Sequence, residues 1–185
     1  IYGGTSAGIA AAVQASRMDN SVILIEPYDR IGGLTTGGLG QTDIGNKQAI
    51  GGISREFYQR IRHYYEEPAN WEWQDPQNYR DGGQTRTEEH EDAMWTFEPS
   101  AALAVYHSMI EEEDFQLKYN QRLDRREGVK KKDGKIISIT MESGDVFKGE
   151  VFIDATYEGD LMASAEVDYY IGREPNSLYG ETYNG

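Results

Sequence analysis

The sequence contains no cysteine. That excludes a disulfide framework, a thiolate metal site and any dithiol step in a reaction. It is compatible with either redox environment and so assigns no compartment. Long apolar runs are missing as well, since nothing approaches the ~20 residues of a membrane-spanning helix. Positive charge is scarce: 18 Lys and Arg stand against 32 Asp and Glu, a formal net charge of −14. A nucleic-acid surface needs clustered cations, so no nucleic-acid partner is expected. The one basic stretch, Arg122 to Lys135, is interrupted by Asp124, Glu127 and Asp133 and reads as the solvated face of a hairpin. No metal is assigned.

What is present is enough chain, 185 residues, to bury one core without cross-links. Ile1-Tyr2-Gly3-Gly4 reads as the last step of a strand entering a turn, so the chain is expected to begin inside an element, with any targeting segment upstream. Ala7 to Met18, rich in Ala with Ile9 and Val13 on one side, predicts a helix packed closely on a sheet. Val22-Ile23-Leu24-Ile25 predicts a strand buried on both faces, which completes a βαβ unit. A glycine-rich stretch follows, and then Ile53, Phe57, Ile61 and Tyr64 at helical spacing. From about 66 to 98 neither period is visible, and this polar, Trp-containing excursion is a long loop of the kind that is usually functional or disordered. Pro99 opens a further helix running toward Glu113. Phe115 to Tyr119 predicts a strand. The turn signals Asp133-Gly134 and Ser143-Gly144-Asp145 divide about 128–149 into a three-stranded antiparallel meander over one edge of the sheet. Val151-Phe152-Ile153 predicts another buried strand.

The segment Gly3-Gly4-Thr5-Ser6-Ala7-Gly8 joins the first strand to the first helix. A dinucleotide fingerprint needs one glycine for the turn, one where backbone nears the pyrophosphate and one for helix–strand packing. Gly3 and Gly8 suit the first and third positions; Thr5 occupies the second and breaks the strict pattern. The helix N-terminus offers N–H groups and a positive dipole end to a diphosphate, and Thr5 or Ser6 can add a hydroxyl. The same residues fit the nucleophile elbow of an α/β-hydrolase, with Ser6 as nucleophile and His63, His90 or His107 as base. That elbow normally follows several strands, whereas here it opens the chain. A P-loop is excluded, because no Gly-Lys-Ser or Gly-Lys-Thr follows.

Glu26 favours the dinucleotide. It ends the second strand eighteen residues after Gly8, close to the spacing of about 20 expected for an acid that bonds a ribose hydroxyl. A carboxylate there accepts from an adenosine 2′-OH and repels a 2′-phosphate, which disfavours an NADP-type cofactor.

Gly-Gly-Thr-Ser-Ala-Gly-Ile-Ala-Ala-Ala from Gly3, then Ile25-Glu26-Pro27 and Arg30-Ile31-Gly32-Gly33-Leu34-Thr35-Thr36-Gly37-Gly38-Leu39-Gly40, resembles a family of FAD-dependent oxidoreductases common in bacterial genomes, some labelled xanthan lyase. Phe97-Glu98-Pro99-Ser100-Ala101-Ala102, Phe152 to Leu161 and Gly172-Arg173-Glu174 resemble it too. The resemblance spans the chain. It implies an FAD-binding domain like those of glutathione-reductase and succinate-dehydrogenase flavoproteins, with FAD held non-covalently. Arg30 with Gly32 and Gly33 would face the diphosphate, and Leu34 to Gly38, including Thr36 and Gly37, would follow the ribityl chain. Asp154-Ala155-Thr156 resembles the Ala-Thr-Gly turn that closes under the cofactor, with Tyr157 in place of the glycine. Such families are longer and end on a final cofactor motif. This sequence reaches Tyr183-Asn184-Gly185 without one and is expected to be part of such a domain.

A plain NAD-dependent dehydrogenase would continue with a third strand soon after Glu26, and the order of elements here differs. The expected fold is therefore α/β, a Rossmann-like FAD-binding domain with a mainly parallel sheet and a small antiparallel meander. The expected cofactor-binding set is Gly3, Gly4, Thr5, Ser6, Ala7, Gly8, Glu26, Pro27, Arg30, Gly32, Gly33, Leu34, Thr36, Gly37, Ala155 and Thr156. The expected function is oxidation or reduction of a small organic, carbohydrate-related or other, substrate. No catalytic acid or base is assigned; Glu98 reads as a helix-initiating acid. A flavin fold without catalysis, serving binding or assembly, and a hydrolase using Ser6 remain as alternatives. Oligomeric state is not assigned.

Overall fold

The computed structural model describes residues 1–40, 44–80, 82–88 and 90–183. Asn184 and Gly185 of the expected terminus, and positions 81 and 89 of the expected excursion, lie outside them. Helix α1 covers Ser6–Arg17. Thr5 caps it by accepting from the Gly8 N–H, and it stops where Asp19 turns left-handed at φ 59°. Strand β1, Ile23–Ile25, pairs in parallel with β2, Gln116–Lys118. Tyr2 bridges in parallel to Ile25 on one side and to Asp154 on the other, so the parallel segments run in the order 154, 2, β1, β2. Helices α2, Gly52–Tyr64, and α3, Pro99–Glu111, follow where helical spacing predicts them.

Side-chain alternation along these strands divides the core. Ile1, Val22, Leu24 and Leu117 pack with α1, α2 and α3, around Ile9, Val13, Phe57, Ile61, Val105 and Met109. Tyr2, Ile23 and Ile25 point the other way, onto Leu123, Ile139, Met141 and Leu161. Period-two geometry is what sends neighbours to opposite faces. The second face belongs to the antiparallel sheet of β3 (Val129–Lys132), β4 (Lys135–Thr140) and β5 (Val146–Lys148), in that order. The meander therefore covers a face of the parallel strands, not an edge. The Tyr2 hydroxyl ties the layers by accepting from the Leu123 N–H at 2.9 Å. The fold is mixed α/β, with a small parallel sheet and a small three-stranded antiparallel one. Helix α4, Asp160–Ser164, follows the returning segment, and α5, Asn176–Tyr179, lies near the end of the described chain.

Two expectations are corrected. Val151-Phe152-Ile153 is not a buried strand: Val151 is 77% and Ile153 38% exposed. The segment is the outer member of the parallel set, joined through Tyr2 alone among the described residues, and only Phe152 turns into the core beneath the meander. The excursion is not structureless either. It holds 3₁₀ turns at Pro68–Asn70, Pro76–Asn78 and Gly83–Thr85, and aromatic packing orders it. Trp71 stands 4.9 Å from the Tyr65 ring and 5.5 Å from that of Tyr79, while Trp95 is fully buried beside Ile44 and Ala93.

Candidate functional site

The first turn brings three chain segments into contact. Gly3 has φ 100°, and a Cβ there would stand 2.8 Å from the backbone of Ala155 and Thr156. A Cβ on Gly8 would overlap the Gly3 carbonyl oxygen and touch the Ala155 side chain. Strand, helix and returning loop can approach this closely only without those side chains. The Thr5 hydroxyl secures the join, donating to the Ala155 carbonyl at 2.7 Å. Ser6 and Ala7 begin α1, so their N–H groups have no intrahelical acceptor and sit at the positive end of the helix dipole.

Glu26 lies at the end of β1, only 5% exposed. One carboxylate oxygen accepts from the Gly4 N–H at 2.8 Å and the other from the Tyr28 N–H at 2.9 Å. Burial pushes its carboxyl above the usual carboxylate range, and the two N–H donors work against that rise. A Cβ on Gly4 would stand 2.7 Å from the Glu26 oxygen, so the glycine is what lets the acid reach the turn.

The second loop is threaded onto the first. The Gly32 N–H donates to the Gly4 carbonyl at 2.7 Å, and the Ser6 hydroxyl donates to the Gly32 carbonyl at 3.2 Å while sharing a 2.7 Å bond with Thr35. Gly32 and Gly33 are both left-handed, φ 90° and 53°, and lead into a 3₁₀ turn over Gly33–Thr35. Arg30 holds the end of that turn by donating to the Thr36 carbonyl at 2.7 Å. Thr36 itself is buried, its hydroxyl donating to the Ile31 carbonyl and its own carbonyl accepting from Arg30, so it shapes the loop from within. Leu34 is 56% exposed, and Gly37 packs against the Gly33 carbonyl.

The third piece is the loop after Asp154. Asp154 accepts from the N–H and hydroxyl of Thr156 and from the N–H of Met162; the Thr156 hydroxyl accepts from Gly159 and Asp160. Thr156 thus spends its side chain inside the loop. The three pieces enclose a cleft of about 290 Å³ bordered by Gly3, Thr5, Glu26, Pro27, Arg30 and Thr156. Arg122 and Arg125 border it too, the former 5.3 Å over the Tyr28 ring and the latter 3.4 Å from Asp160. Both are exposed, as the reading of Arg122 to Lys135 as a solvated face expects, and both also border the cleft. Their signal was positional: Asn120 and Gln121 donate backbone bonds to the carbonyls of Tyr28 and Glu26, which carries the next residue to the cleft. Three arginines beside three acids make a locally balanced cleft in a chain of net charge −14, which suits an anionic ligand.

The elbow geometry is not formed, since the bonds of the Ser6 hydroxyl go to Gly32 and Thr35 and none of the described ones brings an imidazole to it. Glu98 does precede α3, but its carboxylate accepts from the Tyr65 hydroxyl at 2.9 Å instead of capping the helix. Among the described residues there is no cluster of His, Asp and Glu able to hold a metal, and no helix is long and apolar enough to cross a membrane.

Comparison with known proteins points the same way. The sequence pattern of a family described as FAD dependent oxidoreductase matches residues 1–184. No curated protein matches the sequence. Among solved structures, L-proline dehydrogenase from P. horikoshii is similar at 15% identity with a TM-score of 0.54, over 94% of this chain and 57% of that one. The Diels-Alderase PyrE3 of pyrroindomycin biosynthesis is similar at 12% identity and a TM-score of 0.44, over 80% of this chain and 30% of that one. The chain thus spans little more than half the length of the first of these.

Proposed function

The chain belongs to the family of FAD dependent oxidoreductases, and from that premise we propose that residues 1–185 supply the FAD-binding portion of an enzyme that oxidises or reduces a small organic substrate. In this reading the domain is Rossmann-like, carrying the excursion at about 66–98 and the meander at about 128–149. FAD, the cofactor the family implies, lies in the cleft between the first turn, the glycine loop and the loop after Asp154. The observation that carries this is Glu26: a buried carboxylate at a strand end, with its charge held beside the N-terminus of α1, suits ribose hydroxyls that donate to it.

The residues present fit the cofactor. The N–H groups of Ser6 and Ala7 and the Arg30 guanidinium supply donors and positive charge to the diphosphate. Gly3, Gly4 and Gly8 let the strand, Glu26, the helix and the loop at Ala155 close on one another beneath the diphosphate. Gly32, Gly33 and Gly37 shape a narrow loop beside Leu34, leading on from the diphosphate. When bound, FAD supplies the redox chemistry at its ring; these residues bind and orient it. Denaturing the purified full-length protein tests the reading: the released flavin is expected to be FAD. Release of FMN, or failure to take up offered flavin, would defeat it.

A further inference from the structure

The loop after Asp154 departs from an Ala-Thr-Gly turn at one residue, Tyr157, and that residue crosses the cleft. Its base is rigid, because Asp154 and Thr156 lock the loop through the bonds described above. From this base the phenol spans to the glycine loop, where its oxygen accepts from the Leu34 N–H at 2.8 Å. It fills the position a Cβ on Gly33 would take, so Gly33 leaves room for it. Tyr157 is 57% exposed. Burial alone does not fix a side chain that open, and the hydrogen bond is what sets its place.

The chemistry of that bond is informative. Leu34 lies within the first turn of a 3₁₀ helix, where N–H groups lack an internal acceptor. The phenol takes this donor as an acceptor, which leaves its own proton to give. Among the described residues no second bond is recorded at this hydroxyl. The cleft wall around it carries Gly3, Thr5, Arg30 and Gly33, and the Arg30 guanidinium there offers donors to a diphosphate. We propose that Tyr157 is a cofactor-positioning residue: its hydroxyl accepts from the Leu34 N–H and donates to a diphosphate oxygen of FAD, clasping the cofactor between the first turn and the glycine loop. The role rests on the reading of the cleft as the FAD site. Tyrosine at this position replaces close backbone approach by a side-chain donor.

The test titrates the full-length apoprotein, as wild type, Tyr157→Phe and Tyr157→Gly, with FAD, ADP and adenosine, following protein fluorescence. Tyr157→Phe keeps the ring and removes only the oxygen at an exposed site, so the unliganded fold should melt as wild type does. It is expected to weaken FAD and ADP about tenfold, as loss of one charge-assisted hydrogen bond does, and to leave adenosine unchanged. Tyr157→Gly is expected to weaken both diphosphates at least as much. Tighter FAD binding by Tyr157→Gly would mean that the ring obstructs a backbone contact, and would overturn the proposal. Equal FAD binding by Tyr157→Phe, or an equal loss for adenosine, would overturn it as well. A wild type that takes up no flavin removes the site reading and this role together; a wild type that loads while Tyr157→Phe loads equally removes only this role.

Discussion

Gly8 in the first turn and Gly134 and Gly144 in the meander are the same residue used for opposite reasons. Gly8 has no left-handed φ, yet a Cβ there would overlap the Gly3 carbonyl. Gly134 and Gly144 have φ of 76° and 91°, and a Cβ on either would meet nothing within 4 Å. Gly8 needs space, Gly134 and Gly144 need a dihedral angle, and Gly3, at φ 100° with backbone 2.8 Å from its Cβ position, needs both. The consequences differ as well. A dihedral requirement ends with the turn it makes, while a space requirement records that another part of the chain has come close. At Gly8 the neighbours are Gly3 and Ala155, far apart in sequence, and their meeting brings the start of α1 against both the first turn and the returning loop.

The hardest test of this contrast is Gly8→Val. Its branched side chain has no space to enter, so helix and strand must separate, at a cost on the order of 3 kcal/mol. Flavin binding is expected to be lost, read as absent flavin absorbance, with most of the helical circular dichroism retained. A Gly8→Val protein that purified with bound flavin would break the comparison.

Glu26→Gln acts on the ligand more than on the packing. The acid has a raised carboxyl in the free protein because burial disfavours its charge. Ribose hydroxyls that donate to the charged form would lower it again on binding. Bound protein then carries fewer protons than free protein, so FAD affinity is full at neutral pH and falls as pH drops through the raised carboxyl of the free protein. For folding of the unliganded protein the sign is reversed: a raised carboxyl contributes stability at low pH that is lost as pH rises through it. Glu26→Gln should weaken FAD about tenfold or more, since a charged acceptor is replaced by a neutral one, and should flatten the pH dependence of binding. Titration from neutral to acid pH checks both; a variant with the wild-type pH profile would take Glu26 out of the ribose role.

How much of this was legible follows from the same distinction. The βαβ unit, the three antiparallel strands and the position of Glu26 were readable, because each depends on neighbours within about one element. Tyr157 was visible only as a departure from a pattern, since its partner Leu34 is 123 positions away. Arg122 and Arg125 were masked by the acids that interrupt their stretch, Asp124 and Glu127. The exposure of Val151 and Ile153 could not be read from an apolar run, because the run does not say what covers it. The excursion defeated periodicity because short 3₁₀ turns and clustered aromatic rings have none.

Ser6→Ala should have a smaller effect, about 1 kcal/mol, for its bonds to Gly32 and Thr35. Flavin binding should survive, because the Ser6 backbone N–H remains at the start of α1. A hydrolase activity that disappeared in this variant would revive the elbow and displace the flavin reading.

The smallest expected effect is that of Gly134→Asn, and it sharpens the comparison from its other end. Asp133 and Gly134 turn the β3–β4 hairpin with φ of 51° and 76°, the pair of positive angles that a tight two-residue hairpin requires. Asparagine is among the residues that enter the left-handed region readily, and Asp133 already does so next door. Open space surrounds the site, so the new side chain collides with nothing. The cost should be that of the dihedral alone, below about 1 kcal/mol. Thermal melting should shift by a few degrees at most, with FAD affinity unchanged. Asparagine at Gly8 would meet the Gly3 carbonyl as valine does, whatever its backbone preferences. If Gly134→Asn removed flavin binding, the hairpin turn would have to be coupled to the cleft through the β-sheet, and a glycine's surroundings would no longer separate those that shape the site from those that only turn the chain.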